Sequence, residues 1–182
     1  MFRAGGRVVK NVAGYDLCRL LIGAEGQLGN LRQLTFKLKP LPVEQHLSVA
    51  AFRTLKDLDS ALERLNLSST TPQILDVVNS LAARKLLPAV DSALASERIV
   101  SPDSFLVLGF DGLRKGCDWQ TKTLADELQG TARSVTTVAR SEAVNLYCRA
   151  AMQFSAGETA RHTGWSAKVV TLPSRVVAVL QV

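Results

Sequence analysis

Hydrophobic and polar residues alternate along several short stretches of the chain, as they do in strands with one buried face. The clearest stretch, "SFLVLGFDG" at 104–112, predicts a strand with Leu106, Leu108 and Phe110 on one face. A second, "LRQLTFKLKPLP", alternates from Leu31 onwards and predicts a strand that its closing prolines terminate. The same reasoning predicts shorter strands at 7–10, 46–52, 72–79, 132–140 and 166–173.

Other stretches have the spacing of amphipathic helices. In "TLKDLDSALERLN" the leucines at 55, 58, 62 and 65 share one helical face, and Thr54 is the predicted N-cap. Ser141 is the predicted cap of a later helix, and Pro88 is expected to break another. Helical spacing predicts further helices at 13–23, 80–95, 118–130, 141–157 and 174–182.

The order of the elements, a repeated strand–helix–strand, predicts an α+β fold with a mostly antiparallel sheet and helices on one face. Pro40 and Pro42 form the strongest break in the pattern, so we predict two domains, 1–42 and 43–182. Because the chain opens on a strand and ends within a helix, we expect the second domain to be truncated at its end.

Composition and charge narrow the function classes. The 182 residues are 47% hydrophobic, which is enough for a core, and no apolar run reaches the ~18 residues that cross a bilayer. Three scattered cysteines argue against a disulfide framework and favour a reducing, cytoplasmic location. Residues 1–40 contain seven Lys and Arg but only Asp16 and Glu25 as acids, a balance of +5 out of a total of +6. Such a basic segment indicates an anionic partner or a solvated strand edge.

Three glycines follow the first predicted helix at a spacing of three: Gly23, Gly26 and Gly29. This spacing lacks the Gly-x-Gly-x-x-Gly order of a dinucleotide-binding loop and the Gly-Lys-Ser/Thr ending of a P-loop. Spacing alone leaves two interpretations open. The loop is either a long turn, or a segment whose missing Cβ atoms let backbone N–H groups approach a phosphate or a flavin.

Other candidate chemistry is sparse. His46 and His162 have no neighbour at metal-ligand spacing, so we predict no metal site and expect both histidines on the surface or in loops. Arginine binds carboxylates in a bidentate manner, so Tyr147, Arg149 and Arg161 are candidates for binding a carboxylate substrate. The alternative for Arg149, and the more common role of such a residue, is a charge on the surface of a helix.

The stretch "KNVAGYDLCRLLIGAEGQLGNLRQLTFKLKP", from Lys10 to Pro40, resembles the signature of FAD-linked oxidases of the vanillyl-alcohol oxidase type. In that signature a Gly-Tyr-Asp-Leu segment precedes Leu-x-Ile-Gly-Ser-Glu-Gly-Thr-Leu-Gly-Val-Ile-Thr and a strand ending in proline. Within this family, the sequence of this stretch is most similar to that of glycolate oxidase FAD-binding subunits. Gln27, Asn30 and Arg32 depart from the signature, which has Thr, Val and Thr there.

The resemblance implies a fold and a site. Residues 1–42 would be the C-terminal end of a PCMH-type FAD-binding domain, and 43–182 a ferredoxin-like α+β cap domain. The cofactor would be FAD, and the implied reaction is hydride transfer to it from glycolate or another 2-hydroxy acid. No catalytic residue is identified. The implied FAD-binding positions are Asn11, Gly14, Tyr15, Glu25, Gly26, Gly29 and Leu31.

The resemblance also implies partners. Family members work with other oxidase subunits, including an iron–sulfur subunit, through which any membrane association would arise, and nucleic acid is not among the implied partners. The pyrophosphate-binding loop of the family lies upstream of this signature, so we expect this chain alone to be inactive and to hold FAD weakly. Two alternatives stay open: a basic nucleic-acid-binding domain, and an inactive truncated remnant.

Overall fold

The structure, a computed structural model, describes residues 4–6, 17–24, 26–88, 104–155 and 169–180. Its contacts divide the chain into two units, Met1–Leu41 and Pro42–Val182. The described part of the first unit contains one helix, α1 (Leu17–Leu21), in which no residue is buried. The described part of the second unit contains four strands, β1 (Glu44–Phe52), β2 (Ile74–Asn79), β3 (Ser104–Gly112) and β4 (Ser134–Val138). Its helices are α2 (Leu55–Leu67), α3 (Ser80–Leu86), α4 (Arg114–Glu127), α5 (Ser141–Ser155) and α6 (Val176–Leu180).

The four strands form one sheet in the order β2-β3-β1-β4, and every neighbouring pair is antiparallel. β1 and β3 occupy the centre, with Val49 opposite Val107. The chain from β1 to β2 passes over β3, and the chain from β3 to β4 passes over β1. The predicted α+β fold with an antiparallel sheet is therefore confirmed for the second unit.

Helices cover both faces of this sheet. One core contains Phe105 and Val107 of β3, and it packs against side chains of α3 and α5. The other contains Leu106, Leu108 and Phe110 of the same strand, packed against α2 and α4. The prediction of helices on one face was wrong, because the two central strands carry apolar residues in both phases of the alternation and bury both faces.

Local signals account for most helix positions. The Thr54 hydroxyl accepts a hydrogen bond from the Asp57 N–H at 3.1 Å, as predicted for the N-cap of α2. The helix predicted at 118–130 begins four residues earlier, at Arg114, where Leu113 caps it without a side-chain hydrogen bond. A start without a polar cap leaves no signal in the sequence. In the part of the chain that the structure describes, no helix is long and apolar enough to cross a bilayer.

Two predicted strands are absent from the described residues. Residues 26–41 are all exposed, and none of them belongs to a strand, because every strand partner in the described sheet lies within 44–138. Residues 169–172 of the strand predicted at 166–173 are likewise not paired, and a 3-10 turn, Pro173–Arg175, follows them and leads into α6. The short strand predicted at 7–10 falls outside the described residues.

Candidate functional site

The glycine loop, which we define as residues 23–31, starts directly after α1. The Ile22 N–H donates to the Arg19 carbonyl at 3.3 Å, and the Ala24 N–H donates to the Leu21 carbonyl at 3.3 Å. Between them Gly23 adopts a left-handed φ of 81°, a conformation in which glycine commonly ends helices. The predicted helix end at Gly23 is thus confirmed.

The other two glycines of the loop also have positive φ, 80° at Gly26 and 148° at Gly29. Gln27 donates its N–H to the Ala24 carbonyl at 2.8 Å, which closes a tight turn at this point. Side chains with a Cβ rarely adopt such backbone angles, so the turns explain why glycine recurs here. Among the described residues, a Cβ at Gly23, Gly26 or Gly29 would meet nothing within 4 Å apart from its chain neighbours. The turns therefore leave open space beside the backbone.

Backbone donors are available along this loop. Among the described residues, no backbone carbonyl accepts a hydrogen bond from the N–H groups of Leu28, Asn30 and Leu31. The carbonyls of Ala24 and Gly26 accept the turn hydrogen bonds from Gln27 and Gly29 instead. Successive free N–H groups in a turn can bind an anion. The loop itself carries one charged residue, Glu25, and the basic excess of residues 1–40 lies in the sequence on either side of it.

The structure describes three of the seven predicted FAD-binding positions. Gly26, Gly29 and Leu31 lie together in the glycine loop, and Leu31 is exposed. Asn11, Gly14, Tyr15 and Glu25 lie outside the described residues. The assignment of all seven to FAD stays a prediction.

Tyr147, a predicted carboxylate-binding candidate, is part of the core. It is 1% exposed, and its hydroxyl donates to Asp76 Oδ2 at 2.9 Å across α5 and β2. Burial raises the pKa of Tyr147, and the neighbouring Asp76 carboxylate raises it further. The hydroxyl is therefore neutral and already committed to Asp76. The interpretation of Tyr147 as a substrate-binding residue was wrong.

His46, predicted to be a surface or loop residue, is buried in β1 with 2% exposure. Its Nε2 lies 3.2 Å from Glu44 Oε2 and 4.0 Å from Asp118 Oδ1, and its Nδ1 has no hydrogen-bond partner among the described residues. His46 begins the continuous buried stretch of β1, in which every residue from 46 to 52 is buried. Cys117, near Glu44, has a pKa raised by burial and nearby carboxylates, which disfavours the reactive thiolate.

Comparison with known proteins adds the family context. No protein-family model matches the chain. Glycolate oxidase subunit GlcD of Bacillus subtilis is 30% identical over 109 residues, 60% of this chain and 20% of that protein. A mitochondrial cytochrome-linked D-lactate dehydrogenase of Arabidopsis thaliana is 42% identical over 55 residues, 30% of this chain and 10% of that protein. Glycolate oxidase subunit GlcE of Escherichia coli is 55% identical over 40 residues, 22% of this chain and 11% of that protein.

These curated relatives are FAD-linked oxidases. Other matches are named FAD-linked oxidoreductase or D-lactate dehydrogenase. The matched segments span between a tenth and a fifth of the length of the relatives. The similarity supports the FAD-linked oxidase family and no particular member of it.

Proposed function

We propose that this chain is part of the FAD-binding subunit of a 2-hydroxy acid oxidase or dehydrogenase. The observation that carries the proposal is the glycine loop, whose three positive-φ glycines leave the backbone open where the FAD-linked oxidase signature lies. The names of the curated relatives, glycolate oxidase subunits and D-lactate dehydrogenases, support the same reaction class.

The described loop residues fit FAD. The open space beside Gly26 and Gly29 would admit a flavin or a phosphate, and a Cβ at either position would occupy part of it. The N–H groups of Leu28, Asn30 and Leu31 donate to no backbone carbonyl among the described residues and would suit anionic or carbonyl oxygen atoms. When bound, FAD supplies the hydride acceptor for the carbon that carries the substrate hydroxyl. The chain would contribute backbone donors that hold and orient the cofactor.

We further propose that residues 1–42 complete a PCMH-type FAD-binding domain and that residues 43–182 form a ferredoxin-like cap domain. The antiparallel order β2-β3-β1-β4, in which each strand–helix–strand unit is split by another strand, supports the ferredoxin-like assignment. The layer of α3 and α5 on the second face would be an addition to that fold.

The proposed substrate is a small 2-hydroxy acid, and the proposed partners are further oxidase subunits, including an iron–sulfur subunit. The designation of GlcD and GlcE as subunits of glycolate oxidase supports an assembly of several chains. Which 2-hydroxy acid reacts depends on contacts within that whole assembly.

Flavin retention tests the proposed function. The full chain is titrated with FAD alone, and again together with a separately expressed chain that carries the pyrophosphate-binding half of an FAD-linked oxidase. We expect the chain alone to bind FAD weakly and the mixture to retain FAD. Flavin fluorescence measures both. Gly26→Val should weaken retention by about tenfold or more, because a Cβ branch displaces a charged hydrogen bond of ~1.5–3 kcal/mol.

Gly130→Val is the matched control. Gly130 has φ 78° against 80° at Gly26, and its Cβ position is equally open, but it lies in the turn after α4. Both substitutions carry the same backbone strain, so a difference in FAD retention reports position alone. Equal loss for the two variants, or a mixture that retains no FAD, would contradict the proposed function.

A further inference from the structure

The described sheet has two outer strands, β2 and β4, and their side chains differ. β2 has six residues, four of which are apolar: Ile74, Leu75, Val77 and Val78. β4 has five residues, three of which carry hydroxyl groups. Among the described residues, β2 pairs with β3 alone, so one side of its backbone has no strand partner there. β2 is therefore the longer and more apolar of the two outer strands.

β2 also lacks the features that usually keep an outer strand from pairing with another chain. Such features are charged side chains along the edge, prolines, bulges and very short strands. β2 contains no proline, and Asp76 is its one charged residue. The Asp76 carboxylate is half-buried and accepts the hydrogen bond of the Tyr147 hydroxyl at 2.9 Å, so it is engaged with α5. Leu75, the neighbouring residue, is 40% exposed.

The sequence of β2 complements itself in an antiparallel register. Directly opposite residues of an antiparallel pair lie on the same face of the sheet. Two registers satisfy this condition and pair five of the six residues of β2 with a second copy: one is centred on Asp76, the other on Val77. The first places two carboxylates opposite each other, which is unfavourable. The second places Val77 opposite its own copy and Leu75 opposite Asn79, and it opposes no like charges.

We propose that two copies of this chain associate through β2, in the register centred on Val77. A two-fold axis then joins the two four-stranded sheets into one continuous sheet, with main-chain hydrogen bonds between the copies. The joined surface is small, so the dimer is weak, with a dissociation constant of about 100 µM. At low micromolar concentration the chain is monomeric. The interface uses no residue of the glycine loop and needs no flavin, so it goes beyond the proposed function.

Sedimentation equilibrium of the full chain at increasing concentration tests the interface, and we expect a reversible monomer–dimer equilibrium. Leu75→Lys should weaken the dimer by about tenfold, because the two-fold axis places the new edge charge at the interface twice. The matched control is Val179→Lys, since Val179 on α6 is 38% exposed against 40% for Leu75. It should dimerise as the unaltered chain does. Equal weakening in the two variants, or a chain that stays monomeric well above 100 µM, would overturn the proposal.

A charge-restoring substitution tests the register. Asn79→Asp is added to Leu75→Lys, and α3 keeps its cap because Asp and Asn are equally good N-caps. Within one strand, positions 75 and 79 are about 13 Å apart, too far for their side chains to pair. In the proposed register, each new lysine lies opposite the new aspartate of the other copy. The second substitution should therefore strengthen the dimer about threefold or more relative to Leu75→Lys alone. No recovery would contradict this register.

Hydrogen exchange gives a measurement without substitution. Some backbone amides of 74–79 should exchange more slowly as the chain concentration rises through the dissociation constant, because the second copy accepts their hydrogen bonds. Amides of the central strand β3 should be slow at every concentration. Protection of all amides of 74–79 that does not change with concentration would show that the edge is covered within one chain, and it would overturn the proposal.

Discussion

Two stretches of this chain place apolar residues at every second position, and their surroundings are opposite. In β3, Leu106, Leu108 and Phe110 are at most 1% exposed. In the segment 31–38, Leu34 and Phe36 are 57% and 75% exposed. β3 pairs with β1 and β2 and is covered by helices, whereas the segment has no strand partner among the described residues.

The comparison shows what alternation specifies. It gives a stretch the ability to form a strand with one apolar face, and it does not specify the partner that covers that face. The second unit contains its own partners, so its alternation is satisfied internally. The apolar row of Leu34, Phe36 and Leu38 is the kind of exposed surface that marks an interaction site. Under the proposed function, the remainder of an FAD-binding domain would cover it.

The largest expected difference in stability is between the variants Phe110→Ala and Phe36→Ala. Phe110→Ala should lower the free energy of unfolding by about 3–5 kcal/mol, because it removes a buried ring and leaves a cavity. Phe36→Ala should change it by less than about 0.5 kcal/mol, because the ring is exposed. Urea unfolding followed by circular dichroism measures both. A loss above about 1 kcal/mol for Phe36→Ala would show that its ring is buried in solution and would remove the contrast.

The sheet could be read from the sequence because its information is local. Period-two stretches gave β1, β2, β3 and β4, and the Thr54 cap gave the start of α2. The second helical layer was missed because it depends on which strands become central. A central strand has a continuous apolar run in its sequence, and β1 has that character from Val49 to Phe52.

The candidate functional residues also differ in how well the sequence predicted them. The glycine loop was found from spacing and resemblance, because each glycine answers a backbone requirement that stays visible in the sequence. Tyr147 was misjudged, because its partner Asp76 lies on a strand that is distant in the sequence.

Tyr147→Phe is expected to have an intermediate effect on the free energy of unfolding. The change leaves Asp76 Oδ2 without its donor at 2.9 Å, and a half-buried carboxylate without a partner costs about 1–3 kcal/mol of unfolding free energy. Urea unfolding at neutral pH measures this loss. An unchanged midpoint would show that water satisfies Asp76 equally well and that the pair adds no stability.

The contact between Tyr147 and Asp76 also makes the free energy of unfolding depend on pH. Burial raises the pKa of Tyr147 above its ordinary value of 10.0, so the folded chain keeps the phenol proton while the unfolded chain loses it. The stability from this group is complete below pH 10 and should fall by about 1.4 kcal/mol per pH unit above it. Tyr147→Phe should remove the part of this pH dependence that Tyr147 contributes. An identical decline in both proteins above pH 10 would contradict a buried, neutral Tyr147.

The smallest expected effect tests a purely local signal. Asn79 caps α3, because its Oδ1 accepts a hydrogen bond from the Ala82 N–H at 2.9 Å. Asn79→Ala should lower the free energy of unfolding by about 1 kcal/mol, since the Ala82 N–H then lacks its partner. The matched control, Asn66→Ala, changes an exposed asparagine near the end of α2, where alanine is the better helix former, and should be neutral or slightly stabilising. Thermal unfolding of the two variants compares them directly. Equal midpoints would mean that packing of α3 against the sheet, and not its cap, fixes where this helix begins.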